Sequence, residues 1–101
     1  MILEVALLDV KNGKAGELEA AFNRASALIA GMDGYISHEL QRSLEQPSRY
    51  LLLVHWRTLE DHTTGFRQSP AYGEWGQLPH HFYDPFPSVE HVEPVGDCLA
   101  Q

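Results

Sequence analysis

The sequence predicts a single α+β domain of βαββαβ order whose sheet pairs with a second copy of the chain. Three observations predict it: two segments apolar on both faces, two segments that alternate, and a helical pattern after the first and third of these four. Ile2–Val10 places Ile2, Ala6, Leu8 and Val10 on one parity and Leu3, Val5 and Leu7 on the other, interrupted only by Glu4 and Asp9. Such a run reads as a strand buried on both faces. Asn12-Gly13 is a turn signal. From Lys14 to Gly31, the residues Leu18, Phe22, Ala25, Ile29 and Met32 recur at three- and four-residue steps and predict a helix with one apolar stripe. Glu17 and Glu19 suit the positive end of its dipole, and Gly31 with Asp33-Gly34 ends it.

Tyr35–Leu44 alternates, with Ile36, His38, Leu40, Arg42 and Leu44 on one face. Glu45-Gln46-Pro47-Ser48 is a turn, and Arg49–Arg57 follows as a second strand apolar on both faces. Thr58 with Asp61 three residues on resembles a capping box and opens a helix whose inner face carries Leu59, His62 and Phe66. Ser69-Pro70 restarts it, serine as cap and proline at the first helical position, with Tyr72, Trp75 and Leu78 as its stripe. Asp84-Pro85-Phe86-Pro87 is an irregular aromatic loop, and Ser88–Val95 is a final alternating strand. The domain is read as residues 1–95, with 96–101 as a fraying tail.

This order is solved by a four-stranded antiparallel sheet with both helices on one face, in spatial order 4-1-3-2, the ferredoxin-like arrangement. It puts the first and third strands in the centre, and these are the two that are apolar on both faces. Two helices cover only one side. An apolar face of several hundred Å2 carrying residues such as Leu3, Val5 and Leu7 is too large to leave in water. A homodimer packed sheet to sheet covers it.

At 44% hydrophobic and 21% charged the chain is globular rather than disordered. A net charge of −7 with only seven Lys plus Arg leaves no basic face for nucleic acid or for anionic lipid. No apolar run reaches the roughly 20 residues of a membrane span. The opening MILEVALLDV has no basic n-region and reads as a strand rather than a signal peptide. Cys98 is the only cysteine, so no intrachain disulfide forms, and a cytoplasmic setting is expected.

Four stretches carry a family resemblance. They are Gly-Lys-Ala-Gly-Glu-Leu-Glu-Ala-Ala-Phe at the first helix, Gly-Met-Asp-Gly-Tyr-Ile-Ser-His-Glu-Leu entering the second strand, Tyr-Leu-Leu-Leu-Val-His-Trp-Arg-Thr-Leu-Glu-Asp-His before the second helix, and Phe66 to Tyr72. Together they resemble the antibiotic biosynthesis monooxygenase domain family over about Met1 to Val95. The resemblance implies a dimeric α/β barrel of the ferredoxin-like type. It also implies a monooxygenase that needs no cofactor and acts on a small aromatic or quinol substrate. The same fold without turnover would be a module that binds a hydrophobic small molecule. The family's haem-degrading branch is disfavoured, because the places of its asparagine, tryptophan and histidine hold Ala6, Gly65, and Trp75 or Gly76.

An oxygenase of that kind needs a base, and histidine titrates near neutrality. His62, on the inner stripe and at the family's helix histidine, is the first candidate; a buried histidine bonded to a backbone carbonyl is the plainer alternative. His38 is the second, opposing His62 if its strand face looks toward the helices and lying in the dimer interface otherwise. Trp56, Phe66, Tyr72, Trp75 and Tyr83 are candidate substrate-binding walls, and the Tyr83–Pro87 loop is a candidate cap, although aromatics at such spacing also simply fill cores. Glu4 is a further acid on a central strand, as base or orienter. His80-His81 suits the end of a helix. Six histidines raise the question of a metal, but no His-x-His, His-x3-His or Cys-His spacing supports a site.

Overall fold

The two strands that are apolar on both faces lie in the centre of the sheet, each with a neighbour on both edges. The computed structural model describes residues 1–11, 13–77 and 88–95, with 74–77 described by their backbone. Its elements are β1 (Ile2–Asp9), α1 (Ala15–Ala30), β2 (Tyr35–Arg42), β3 (Arg49–Trp56), a π-helical turn (Asp61–Phe66), α2 (Pro70–Gln77) and β4 (Ser88–Val92). The strand order is β2-β3-β1-β4 with every pairing antiparallel, so β1 and β3 are central as expected. This is the ferredoxin-like arrangement. Residues 96–101 lie outside the described part.

Alternation decides what each face carries. Ala6, Leu8 and Val10 from β1 and the segment after it, with Tyr50, Leu52, Val54 and Trp56 from β3, point to the helices and are buried. Leu18, Phe22, Ala25 and Ile29 of α1 close over them, the four-residue steps of the sequence stripe, and Phe66 completes the core. On the opposite face Leu3, Val5 and Leu7 stand beside His55, Leu53 and Leu51 in register, all of them half-buried. The edge strands add Ser37, Glu39 and Gln41 on one side and Ser88, Glu90 and Val92 on the other. That aliphatic strip is the parity the helices do not reach.

Three expectations are corrected. β2 is not a clean alternation to Leu44: a register shift between Tyr35 and Ser37 makes Ile36 the extra residue of a bulge, 48% exposed, while Tyr35 turns toward Trp56. The strand also ends at Arg42, because Ser43 N–H donates to the Arg49 carbonyl and Arg49 N–H to that of Gln46, leaving Leu44 in the turn and 87% exposed. The second helical segment is not a regular α-helix with Leu59 inside. Thr58 and Asp61 do cap each other reciprocally, each backbone N–H meeting the other's side-chain oxygen at 3.2 Å. The chain then widens into the π-helical turn, in which Arg67 N–H reaches the His62 carbonyl at 3.0 Å, and Leu59 faces solvent. The last strand stops at Val92 rather than Val95.

Gly34 joins α1 to β2 with φ of +83°, its carbonyl accepting from Arg57 N–H at 2.7 Å. A Cβ there would lie 2.1 Å from Asp61 Oδ2 and 2.6 Å from Asp61 Cβ. Gly34→Ala therefore meets both a left-handed backbone and the capping carboxylate, and is expected to cost about 1–3 kcal/mol in urea unfolding. Gly13→Ala, with φ of +78° but open space around it, is the control and is expected to cost less.

Candidate active site

The site begins with an acid where the sheet is otherwise apolar. Glu4 sits on the buried parity of β1, is 6% exposed and is paired across β4 with His91. An ionised carboxylate in such a place needs donors. Trp56, the last residue of β3, donates Nε1–H to Glu4 Oε1 at 3.0 Å. His62 from the π-helical turn brings Nε2 to 3.3 Å from the same oxygen. Its other nitrogen, Nδ1, lies 2.8 Å from His91 Nε2. The four residues thus form a line, Trp56–Glu4–His62–His91, drawn from three strands and the turn.

Aromatic packing holds that line in place. The His62 ring lies nearly parallel to the Trp56 indole, 5.3 Å between centroids and 24° apart, and is stacked on Phe66 at 6.3 Å. Within the widened turn His62 and Phe66, four residues apart, both face Trp56. Trp56 and Phe66 are at most 1% exposed and His62 is 2% exposed. Tyr72 meets Phe66 edge-on at 5.3 Å and is 40% exposed.

Burial sets the electrostatics. It pushes the Glu4 carboxyl above its usual range, opposed by the Trp56 hydrogen bond and by the positive Arg67. It pulls His62 down to about 4, helped by repulsion from Arg67 and from His91. His91 is lowered for the first two of these reasons. His62 is therefore a neutral imidazole at neutral pH. The tautomer that matches both neighbours carries hydrogen on Nε2, toward the carboxylate, and leaves the Nδ1 lone pair for His91. The groups run in a line rather than converge. Among the described residues no three carboxylate, imidazole or thiol groups are arranged to hold a metal ion.

The other sequence candidates fall elsewhere. His38 does look toward the helices, but the structure does not bring it to His62: its Nδ1 meets the Tyr35 hydroxyl, and the rings of Tyr35 and Trp56 stand between the two histidines. Desolvation lowers its pKa. It borders a separate cavity of about 500 Å3 between α1 and the β2 side of the sheet, with Phe22, Asn23, Leu40, Arg42 and Tyr50. His55 lies on the open sheet face beside Ser37. The Trp75 side chain, Tyr83 and the Tyr83–Pro87 loop lie outside the described residues, as do His80 and His81.

Sequence reasoning missed His91 and gave Glu4 too small a part. The signal for Glu4 was present, since a carboxylate among Ile2, Ala6, Leu8 and Val10 must find partners. His91 becomes visible only once β4 is set beside β1 with Glu4 opposite it.

A ferredoxin-like domain with an acid–imidazole line behind aromatic walls defines the class. The chain belongs to the antibiotic biosynthesis monooxygenase family, whose model matches residues 1–78. It is 53% identical over 95 residues to the uncharacterized protein YczJ of Bacillus subtilis, covering 94% of this chain and all of that one. Among solved structures it is similar to a Bordetella bronchiseptica protein named within the same family, at 35% identity and a TM-score of 0.90, over 93% of this chain and 96% of that one. SnoaB, a cofactor-independent oxygenase from Streptomyces nogalater, shares the fold at a TM-score of 0.81 and 16% identity, over 97% of this chain and 96% of SnoaB. Among the described residues no helix is long and apolar enough to cross a membrane.

Proposed function

We propose that the protein is a cofactor-independent monooxygenase of a small aromatic or quinol substrate, with His62 at the centre of its proton-abstracting apparatus. The observation that carries the reading is the line of buried Glu4 and His62 with half-buried His91, set against Trp56 and Phe66. A pair of imidazoles kept neutral is ready to take a proton at its accessible end, and a carboxylate behind the pair offsets the charge that results. For a quinol, ionisation makes the ring electron-rich enough to reduce dioxygen. One oxygen atom then replaces a ring hydrogen as hydroxyl and the other leaves as water. All four electrons come from the quinol, which ends as a hydroxyquinone. SnoaB's description as a cofactor-independent oxygenase agrees with this chemistry. The proposal includes a homodimer through the Leu3–Val5–Leu7 face, with a second copy as the occupant, and sedimentation equilibrium reads its mass directly.

The test is oxygen uptake with a hydroquinone panel that includes naphthohydroquinone. His62→Ala is expected to lower the turnover rate at least about 100-fold. Equal uptake by wild type and variant with every substrate consumed would remove His62 from the chemistry. A second reading is a module that holds a small molecule without turnover; the 500 Å3 cavity that includes His38 but not His62 is lined mostly by polar side chains, among them Glu19, Asn23 and Arg42, and so favours a polar occupant over a hydrophobic one. A ligand retained in native mass spectrometry, together with uptake no faster than buffer, would select it.

A further inference from the structure

We infer that the group which takes the proton from substrate is His91, through Nδ1, and that His62 and Glu4 act as positioning residues behind it. This rests on the proposed reading that the site abstracts a proton. His62 itself has no nitrogen to spare. Its Nε2 faces Glu4 at 3.3 Å, its Nδ1 faces His91 at 2.8 Å, and its ring is packed on Trp56 with 2% of its surface exposed. A substrate could reach it only by displacing one of these neighbours.

The polar contacts along the line then set where a lone pair is available. Glu4 Oε1 receives Trp56 Nε1–H and faces His62 Nε2, so the carboxylate acts as acceptor and His62 carries its hydrogen on Nε2. His62 Nδ1 is consequently an acceptor, and His91 must present Nε2–H to it. His91 is left with an unprotonated Nδ1, which has no partner among the described residues. Unlike His62, His91 is only half-buried, on the edge strand β4.

Proton transfer balances simply. A substrate O–H or C–H bond breaks, Nδ1–H forms on His91, and the electron pair stays on the substrate. The imidazolium is then steadied through Nε2–H by the His62 lone pair, and the Glu4 carboxylate at the far end offsets its charge. Arg67 acts the other way. Its positive charge disfavours protonation of both imidazoles and keeps His91 in its basic form before substrate arrives. Glu4 from β1, His62 and Arg67 from the turn and its end, and Trp56 from β3 are the groups that surround this equilibrium.

Two variants of the full chain separate the roles. His91→Gln keeps an N–H for His62 but has no base, and its oxygen uptake with a hydroquinone is expected to fall at least about 100-fold. His62→Gln can accept from His91 and donate to Glu4. It is expected to retain activity within about tenfold of wild type while the alkaline-rising limb of its pH profile moves. Glu4→Gln, which removes the offsetting charge, is expected to move that limb in the direction of a weaker base. The reverse ranking, with His91→Gln near wild type and His62→Gln inactive, would overturn the assignment while leaving the oxygenase reading intact. A second arm needs no substrate: two-bond proton–nitrogen NMR of the wild-type chain at neutral pH reads each tautomer. Hydrogen on Nε2 of both histidines is expected; hydrogen on His91 Nδ1 would overturn the proposal whatever the enzyme turns over. Absence of turnover with the expected tautomers retained would instead count against the oxygenase reading, while the tautomers themselves would still support His91 as the imidazole with the free lone pair.

Discussion

Trp56→Ala is expected to lower the free energy of unfolding by about 3–5 kcal/mol, the usual range for removing a large buried aromatic. Trp56 is 0% exposed at the end of a central strand, and three rings lean on it: His62 at 5.3 Å, Phe66 at 5.8 Å and Tyr35 at 6.3 Å between centroids. Truncation leaves a cavity among these rings and takes from Glu4 the N–H it receives at 3.0 Å. A domain of this size has roughly 5–15 kcal/mol in all, so the variant is left close to the edge of folding. Trp56→Phe separates the two losses. It keeps most of the packing but deprives a buried carboxylate of one donor, and is expected to cost about 1–3 kcal/mol. Urea titrations of both variants check this. Equal costs would mean that the hydrogen bond rather than the packing dominates at this position, and a cost below about 1 kcal/mol for Trp56→Ala would show that the rings close over the gap.

What the sequence makes legible follows from how local each property is. Burial of both faces of β1 and β3 is written in their composition, so central placement could be read before any pairing was known. The apolar stripe of α1 is equally local: Leu18, Phe22, Ala25 and Ile29 need only helical spacing to share a face. The bulge at Ile36 is different. A strict two-residue period places Ile36 inside, and only the packing of Tyr35 against Trp56 accompanies the reversal. The π-helical turn is similar, since Thr58 and Asp61 announce where the segment starts but not how wide it winds.

The site divides along the same line. His62 could be found from its helical stripe, because facing inward is a matter of spacing. Its partners could not, because they depend on which residues of β4 lie beside β1. A five-residue strand with Val89 and His91 on one parity specifies that register weakly, and a slip of one residue would turn His91 to the other face. His38 shows the limit of reading parity alone. It points to the helices as its alternation suggests, yet the bulk of Trp56 and the ring of Tyr35 give it a different neighbourhood.

Acidification is expected to weaken the fold by up to about 3 kcal/mol between pH 6.5 and pH 4, chiefly through His62. Burial, then Arg67 and His91, hold its pKa at about 4 in the folded protein against 6.5 ordinarily. Between these values the unfolded chain binds a proton that the folded chain refuses. Stability is therefore fully present above pH 6.5 and falls as the pH drops toward 4, by about 1.4 kcal/mol per pH unit. His38 and His91, also lowered, push in the same direction. Glu4 opposes them. Its raised pKa means the folded state binds a proton more readily than the unfolded state above pH 4.5, so its contribution is present in acid and lost as the pH rises. Three imidazoles against one carboxylate, which the Trp56 N–H and the charge of Arg67 help to keep ionised, leave acid as the destabilising direction. Urea unfolding at a series of pH values checks the sign, and His62→Gln, with no imidazole to protonate, should flatten the slope. A wild-type protein that grows more stable on acidification would show that proton uptake by Glu4 outweighs exclusion of the proton from His62. The line would then be held together by a neutral carboxylic acid rather than by a carboxylate, and the hydrogen on His62 would have to be reassigned.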